Sequence, residues 1–298
     1  MNNSYEPRIE PRSGVERILD SSFYWIAKIL GWAIAGILVW ITIQVGLKAI
    51  PAIQTFGLNF FSTSSWNPVN NQYGVWPAIY GTLVSSFIAL AISVPIGLGV
   101  ALFLSEDYMP PSLQRIMVFL VELLAAIPSV VYGLWGIFVL IPFLKGFTPL
   151  RGPGMLPAAL ILSVMILPTI AAIARDSIIN VDQGLRQAAV GLGATRWEAI
   201  LQIILPAASS GIIGGIMLAL GRALGETMAV TMLIGNSNTA TIDVFKPSNT
   251  ISSLLANQFA EASGLQVSAL MYAALILFLI TLVVNVLAQL LVKRLQRI

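Results

Sequence analysis

Six apolar stretches, each long enough to cross hydrocarbon about 30 Å thick at roughly 20 residues per crossing, leave this 298-residue chain little choice of fold. They cover residues 23–50, 76–104, 116–144, 155–174, 207–234 and 265–292. In lipid the backbone has to satisfy its own polar groups, so continuous apolar runs of this length predict helices. The expected fold is therefore all-α: an integral membrane protein of six transmembrane helices. Only 10% of the residues are charged, whereas a soluble domain carries about 25%. The stretches between the runs are polar or rich in Pro, Gly, Asn and Ser, as connectors are.

The basic residues set the orientation. With the N-terminus in the cytoplasm, the inner segments hold Arg8, Arg12, Arg17, Arg115, Arg175, Arg186, Arg196, Lys293, Arg294 and Arg297. The outer ones hold Lys145, Arg151 and Lys246. Both ends are expected in the cytoplasm. The first apolar run is about twice a secretory h-region, and Glu6, Glu10, Glu16 and Asp20 are mixed with the arginines before it, so it reads as a retained helix. The organisation expected is a tail (1–22), a first helix with an outer loop (23–75), a core (76–292) containing a long inner loop (175–205), and a short tail (293–298).

Cys and His are both absent. That excludes thiolate and imidazole metal sites, disulfides and His-dependent triads. A P-loop needs Lys followed by Ser or Thr, and no Lys here is. No cofactor or metal is expected on this chain, and no enzyme activity.

Charges inside the spans are few. Arg222 and Glu226 stand four residues apart in the fifth run, and Glu122 in the third. A buried arginine costs about 2.5–3.5 kcal/mol on insertion scales and marks a pathway or a partner. On a continuous helix Arg222 and Glu226 share a face, so Glu226 is expected to offset Arg222 in part. Either the pair serves a substrate pathway or it is an ion pair that fixes helix packing. Glu122 either pairs with an arginine or is a structural carboxylate. Pro95, Pro128 and Pro168 can each bend a span. Gly211/Gly215 and Gly221/Gly225 permit close helix contact. In the last outer loop, a short amphipathic helix is expected from Asn249 as cap, with Ile251, Leu254, Leu255 and Phe259 on one face; it reads as a gate element or a surface helix at the outer mouth.

The 175–205 loop is too polar to span and too patterned for a linker. Small residues around Arg186–Ala189 suggest a helix end, Gly191 and Gly193 a break, and Thr195, Trp197 and Glu198 the start of another helix. Its spacing is Gln187-Ala188-Ala189, three residues, Gly193-Ala194, eight residues, Ile203, one residue, Leu205-Pro206. This resembles the EAA loop of ABC importer permeases, which docks on an ATPase subunit. Gln187 stands where that family usually has Glu, which leaves Arg186 and Glu198 as alternative charge contacts. The resemblance assigns ATPase coupling to Arg186, Gln187, Ala188, Ala189, Gly191, Gly193, Ala194, Thr195, Trp197 and Glu198.

Two further strings, GRALGETMAV (221–230) and VELLAAIPSVVYGLWG (121–136), are similar to segments of the PstC-type permeases of phosphate ABC importers. The resemblance runs from about residue 76 to the end. It implies a type I importer permease of a bacterial inner membrane that moves inorganic phosphate, with Arg222, Glu226 and Glu122 on the substrate pathway. The companions it implies are a PstA-type permease, a dimer of PstB-type ATPases that uses ATP and Mg, and a PstS-type phosphate-binding protein. A permease for another oxyanion (molybdate or sulfate), or a self-contained anion channel or carrier, are the other readings. A carrier typically shows two related halves, and no convincing internal repeat is visible. Nucleic acid is not an expected partner.

Overall fold

The computed structural model describes residues 14–106 and 108–295. Arg8, Arg12 and Arg297, used above for orientation, lie outside them. The chain divides into two units, Met1–Leu47 and Lys48–Ile298.

In the first unit the described residues belong to α1 (Gly14–Phe56). Its apolar side chains, Trp25, Trp32 and Trp40 among them, stand exposed, as on a helix whose surroundings are lipid. Lys28 lies over the rings of Trp25 (5.1 Å) and Tyr24 (5.6 Å).

The second unit is a helical bundle arranged around one buried helix. That helix, α6 (Met155–Ile179), passes through Pro168 without a break. On one side of it lies α2 (Trp76–Ser105), which likewise runs through Pro95. The buried Ser93 hydroxyl donates to the Ser163 carbonyl across this contact, at 2.7 Å. On the other side lies α9 (Leu205–Gly225). There Gly211 and Gly215 sit against Ser177 and Ile173 of α6 with no room for a Cβ, whereas Gly221 and Gly225 face open space. Of the two small-residue pairs, the first packs helices together within this chain. The last span is α12 (Leu265–Leu295). A two-residue hairpin, β1 (Trp66–Asn67) with β2 (Gln72–Tyr73), interrupts the connector before α2.

Five described helices are long and apolar enough to cross a membrane, and a bent pair makes six. That pair covers the expected third span and is bent at Pro128, one of the three prolines able to bend a span. It consists of α3 (Pro111–Ala126) followed, at 91°, by α4 (Ser129–Trp135), a π-turn over Gly136–Leu140, and α5 (Ile141–Lys145). Pro128 has no N–H to continue α3 and pushes Ile127 into an extended conformation, with ψ 128°. The fifth span is also interrupted: α9 ends at Gly225 and α10 (Met228–Leu233) follows.

Within the 175–205 loop, α7 (Gln183–Gly191) is capped by Asp182, whose carboxylate accepts from Gly184 N–H at 2.6 Å. Then α8 (Arg196–Ala199) continues through a π-turn, Ile200–Ile204, into α9. A helix, a glycine turn and a second helix are therefore present. Two details differ from expectation: Arg186–Ala189 lie inside α7, not at its end, and Gly191 is its last helical residue, so Gly193 alone makes the break.

The loop after α10 contains α11 (Ile251–Gln258). Its cap is Thr250, in a capping box with Ser253, and not Asn249. Its first turn is packed inside the protein, while Ala256, Asn257 and Phe259 are exposed. Ile251, Ser252, Ser253 and Leu254 are buried, and Ile251 N–H donates to Thr82 of α2 at 3.0 Å. A row of small polar groups preceding the helix supplies its partners inside the protein, which an amphipathic reading of 251–259 does not register. A Cβ on Gly81 would run into the Asn249 carbonyl oxygen. Gly81→Ala is therefore expected to destabilise the protein by about 1–3 kcal/mol, read as a lower thermal midpoint of the purified complex. An unchanged midpoint would show that α11 is free to move away from α2.

Candidate functional site

Both interrupted spans meet at one place. Gly133 of α4 lies so close to α10 that a Cβ there would stand 2.6 Å from the Met232 sulfur and 3.4 Å from Ala229 Cα. A break inside a span frees backbone groups that lipid cannot satisfy, so such breaks persist where protein or a wet cavity supplies partners. Those partners are visible. Tyr132 Oη donates to Leu124 O at 2.8 Å, closing the end of α3. At the end of α9, Leu224 O accepts from the Ser252 hydroxyl (3.3 Å) and Gly225 O from the Thr227 hydroxyl (3.2 Å).

Arg222 stands one turn before the second break, half-buried. Its guanidinium donates to the Thr169 hydroxyl at 3.5 Å. It lines an open cavity of about 490 Å³ together with Thr169, Met217, Leu218, Gly221 and Asn285. The open side of Gly221 is part of that space.

Glu226 does not join it. The expectation of a shared face assumed a continuous helix, but Glu226 is already extended, with ψ 124°. Its carboxylate turns to the start of α10 and accepts from Ala229 N–H at 3.4 Å. No ion pair links Arg222 to Glu226 among the described residues. Glu226 thus closes the first turn of a helix and leaves the cation open. Glu122 is elsewhere again, exposed on α3 and unpaired with any arginine among the described residues. It borders a cavity of about 30 Å³, shared with Arg175 and Asp176 at the end of α6. That is room for about one water.

The 175–205 loop presents a compact face. Gln187, Ala188, Gly191, Gly193, Thr195 and Trp197 are exposed, Ala194 is half-buried, and Ala189 is buried under them. Leu192 is 90% exposed and Trp197 60%, an apolar tip at odds with solvent. The turn between α7 and α8 is a Schellman motif: Gly193 N–H donates to Val190 O and Ala194 N–H to Ala189 O, both at 3.0 Å, with Gly193 at φ +86°. The two expected charge contacts are engaged internally. Glu198 accepts from Thr195 N–H and hydroxyl, each at 2.7 Å, in a capping box. Arg186 turns inward to Glu106, at 2.6 Å, and to Ile178 O, at 2.9 Å. Glu106, buried just past α2, and Ser252 were not singled out from sequence. Their partners lie far along the chain, and no local pattern announces them.

Residues 93–297 match the family described as binding-protein-dependent transport system inner membrane component. A phosphate transport system permease protein PstC of Pasteurella multocida is 45% identical over 266 residues, covering 83% of each chain. The chain belongs to this family, as a PstC-type permease. Another relative, the probable PstC of Methanocaldococcus jannaschii, is 36% identical over 83% of this chain and 85% of its own. Among solved structures, the permease resembles a chain of a bacterial ABC transporter involved in alginate import (TM-score 0.65, 18% identity, 95% and 99% covered) and one of an amino acid ABC transporter (TM-score 0.54, 22% identity, 73% and 92% covered). At such identities the likeness establishes the fold, that of an importer permease, and leaves the cargo to the residues.

Proposed function

We propose that this permease moves inorganic phosphate inward across a bacterial inner membrane, as one half of a pathway completed by a PstA-type permease. A PstB-type ATPase dimer, which binds ATP and Mg, docks on the 175–205 loop from the cytoplasm, where both chain ends lie. A PstS-type binding protein delivers the anion on the other side.

The observation that carries the substrate reading is the position of Arg222: a guanidinium lining an open cavity beside a broken span, in no ion pair with a carboxylate among the described residues. Phosphate is small and strongly hydrated, and a guanidinium fork matches its oxygens. Thr169 and Asn285 add neutral hydrogen-bonding groups that replace lost water without trapping the ion. With Glu226 occupied at α10, the passing anion is the counter-charge that Arg222 lacks. The docking reading rests on the exposed Leu192 and Trp197, an apolar tip suited to a protein groove.

Uptake of radiolabelled phosphate in cells lacking this gene, and in cells where it is restored, tests the assignment. Restoration is expected to raise uptake at least tenfold, with unlabelled phosphate competing and molybdate and sulfate not. Competition by molybdate or sulfate at equal concentration would transfer the assignment to another oxyanion. Purification of the permease without an ATPase would favour a self-contained carrier.

A further inference from the structure

Three arginines, from α6, α7 and α8, converge on the end of α2 and the residues that follow it. Arg175, near the end of α6, donates through Nε to Leu104 O at 3.2 Å, and Gln114 of α3 shares that acceptor at 2.7 Å. Arg186 of α7 forms the Glu106 ion pair. Arg196 of α8 lies over the ring of Tyr108, 5.5 Å from its centre, and that ring stacks on Phe103 of α2 at 6.1 Å. The turn is thus gripped by α6, α7 and α8, while its own two ends lead into α2 and α3.

Mere stability is a weak reason for this arrangement. Taking a carboxylate and a guanidinium out of water costs about what their attraction returns, and an apolar pair of similar volume would often serve as well. What an ion pair supplies is a fixed register between two elements. Arg186 provides a rigid version of it, because one guanidinium spans Glu106 and Ile178 O at once.

The geometry points to the Glu106–Arg186 pair as a transmission link, through which movement of the docking loop reaches the third span. One route from the loop to Arg222 is covalent, along the continuous helix Arg196–Gly225. It moves α9 and meets the third span at the α4–α10 contact. The ion pair attaches that span at its other end, through α3. The path from α7 through Glu106 into α3 ends at the Ile127–Pro128 break, next to Tyr132 and the α4–α10 contact. With both attachments in place, a displacement of the loop shifts both interrupted spans together. Glu106 and Arg186 are positioning residues in this scheme; neither touches the anion.

The inference rests on the reading of 175–205 as the ATPase-docking loop, and one preparation tests the two separately. Complexes are purified with their ATPase, reconstituted in vesicles with phosphate-loaded binding protein, and assayed for phosphate moved per ATP hydrolysed. Glu106→Gln is expected to retain the ATPase at wild-type stoichiometry while that ratio falls at least tenfold. The exchanged pair, Glu106→Arg with Arg186→Glu, is expected to recover a third or more of the lost ratio. A wild-type ratio in Glu106→Gln overturns the link, and so does an assembled exchange variant that recovers nothing. If Glu106→Gln fails to reach the membrane, Arg186→Lys decides, since it keeps the charge but lacks the planar fork whose two nitrogens span the acceptors: a lowered ratio supports the link and a wild-type ratio overturns it. Loss of the ATPase from the unaltered complex would instead count against the docking reading.

Discussion

Arg222→Gln is expected to cut phosphate uptake by a hundredfold or more in complexes that still assemble and still hold their ATPase. A hundredfold corresponds to about 2.7 kcal/mol, close to what a hydrogen bond to a charged group contributes, about 1.5–3 kcal/mol. It also matches the cost of keeping an arginine inside a span, about 2.5–3.5 kcal/mol. A residue that expensive, in no ion pair with a carboxylate among the described residues, is expected to find its counter-charge in the transported ion. Gln keeps the aliphatic stem and a neutral two-donor amide but ends about two bonds short of the guanidinium nitrogens, so packing of the stem survives while the charge and the reach to Thr169 are lost. Arg222→Lys is expected to fall between, near tenfold, because it keeps the charge but not the fork. Thr169→Val removes only a long 3.5 Å contact and is expected to change uptake a few-fold at most. Normal uptake by the Gln variant would dismiss the pathway role. Failed assembly, with normal transport by the residual complexes, would make Arg222 a packing residue instead.

The difference between Arg222 and Glu226 shows what a sequence of this kind conveys and where it stops. Span positions are legible because lipid imposes one requirement, length of apolar run, on every helix that crosses it. The loop motif is legible because Gly193 and the Thr195/Glu198 box are local chemistry: one residue accepts φ above zero, and the other two satisfy each other three residues apart. The break after Gly225 is different. A glycine within an apolar run is as compatible with continued helix as with an end. Only the Ser252 hydroxyl, supplied from the next loop, makes the end affordable for Leu224 O. Pro128 warned of a bend, but Pro95 and Pro168 carry the same warning and sit in unbroken helices. What separates them is a partner such as Tyr132 for the freed carbonyls. Glu106 is the extreme case, one of two adjacent acids after a span, and its partner is Arg186, eighty residues later.

Gly193→Val is expected to release the ATPase from the purified complex and abolish coupled uptake, with the transmembrane bundle left intact. The αL conformation that closes the Schellman motif costs an L-residue about 1–2 kcal/mol, and a β-branched side chain is worse placed still. Nothing lies within 4 Å of the site of a new Cβ, so the penalty is conformational and confined to the turn. Relieving it means giving up the two N–H bonds to Val190 O and Ala189 O, which re-aims Leu192 and Trp197, the exposed tip of the loop. The ranking across substitutions tests the cause. Gly193→Asn, which tolerates αL, is expected to be mildest, Gly193→Ala intermediate and Gly193→Val most severe, with ATPase retained on purification as the readout. Equal loss in all three would instead indict the space around Gly193 rather than its backbone angle. Full retention in Gly193→Val would mean that the ATPase grips some other part of the permease.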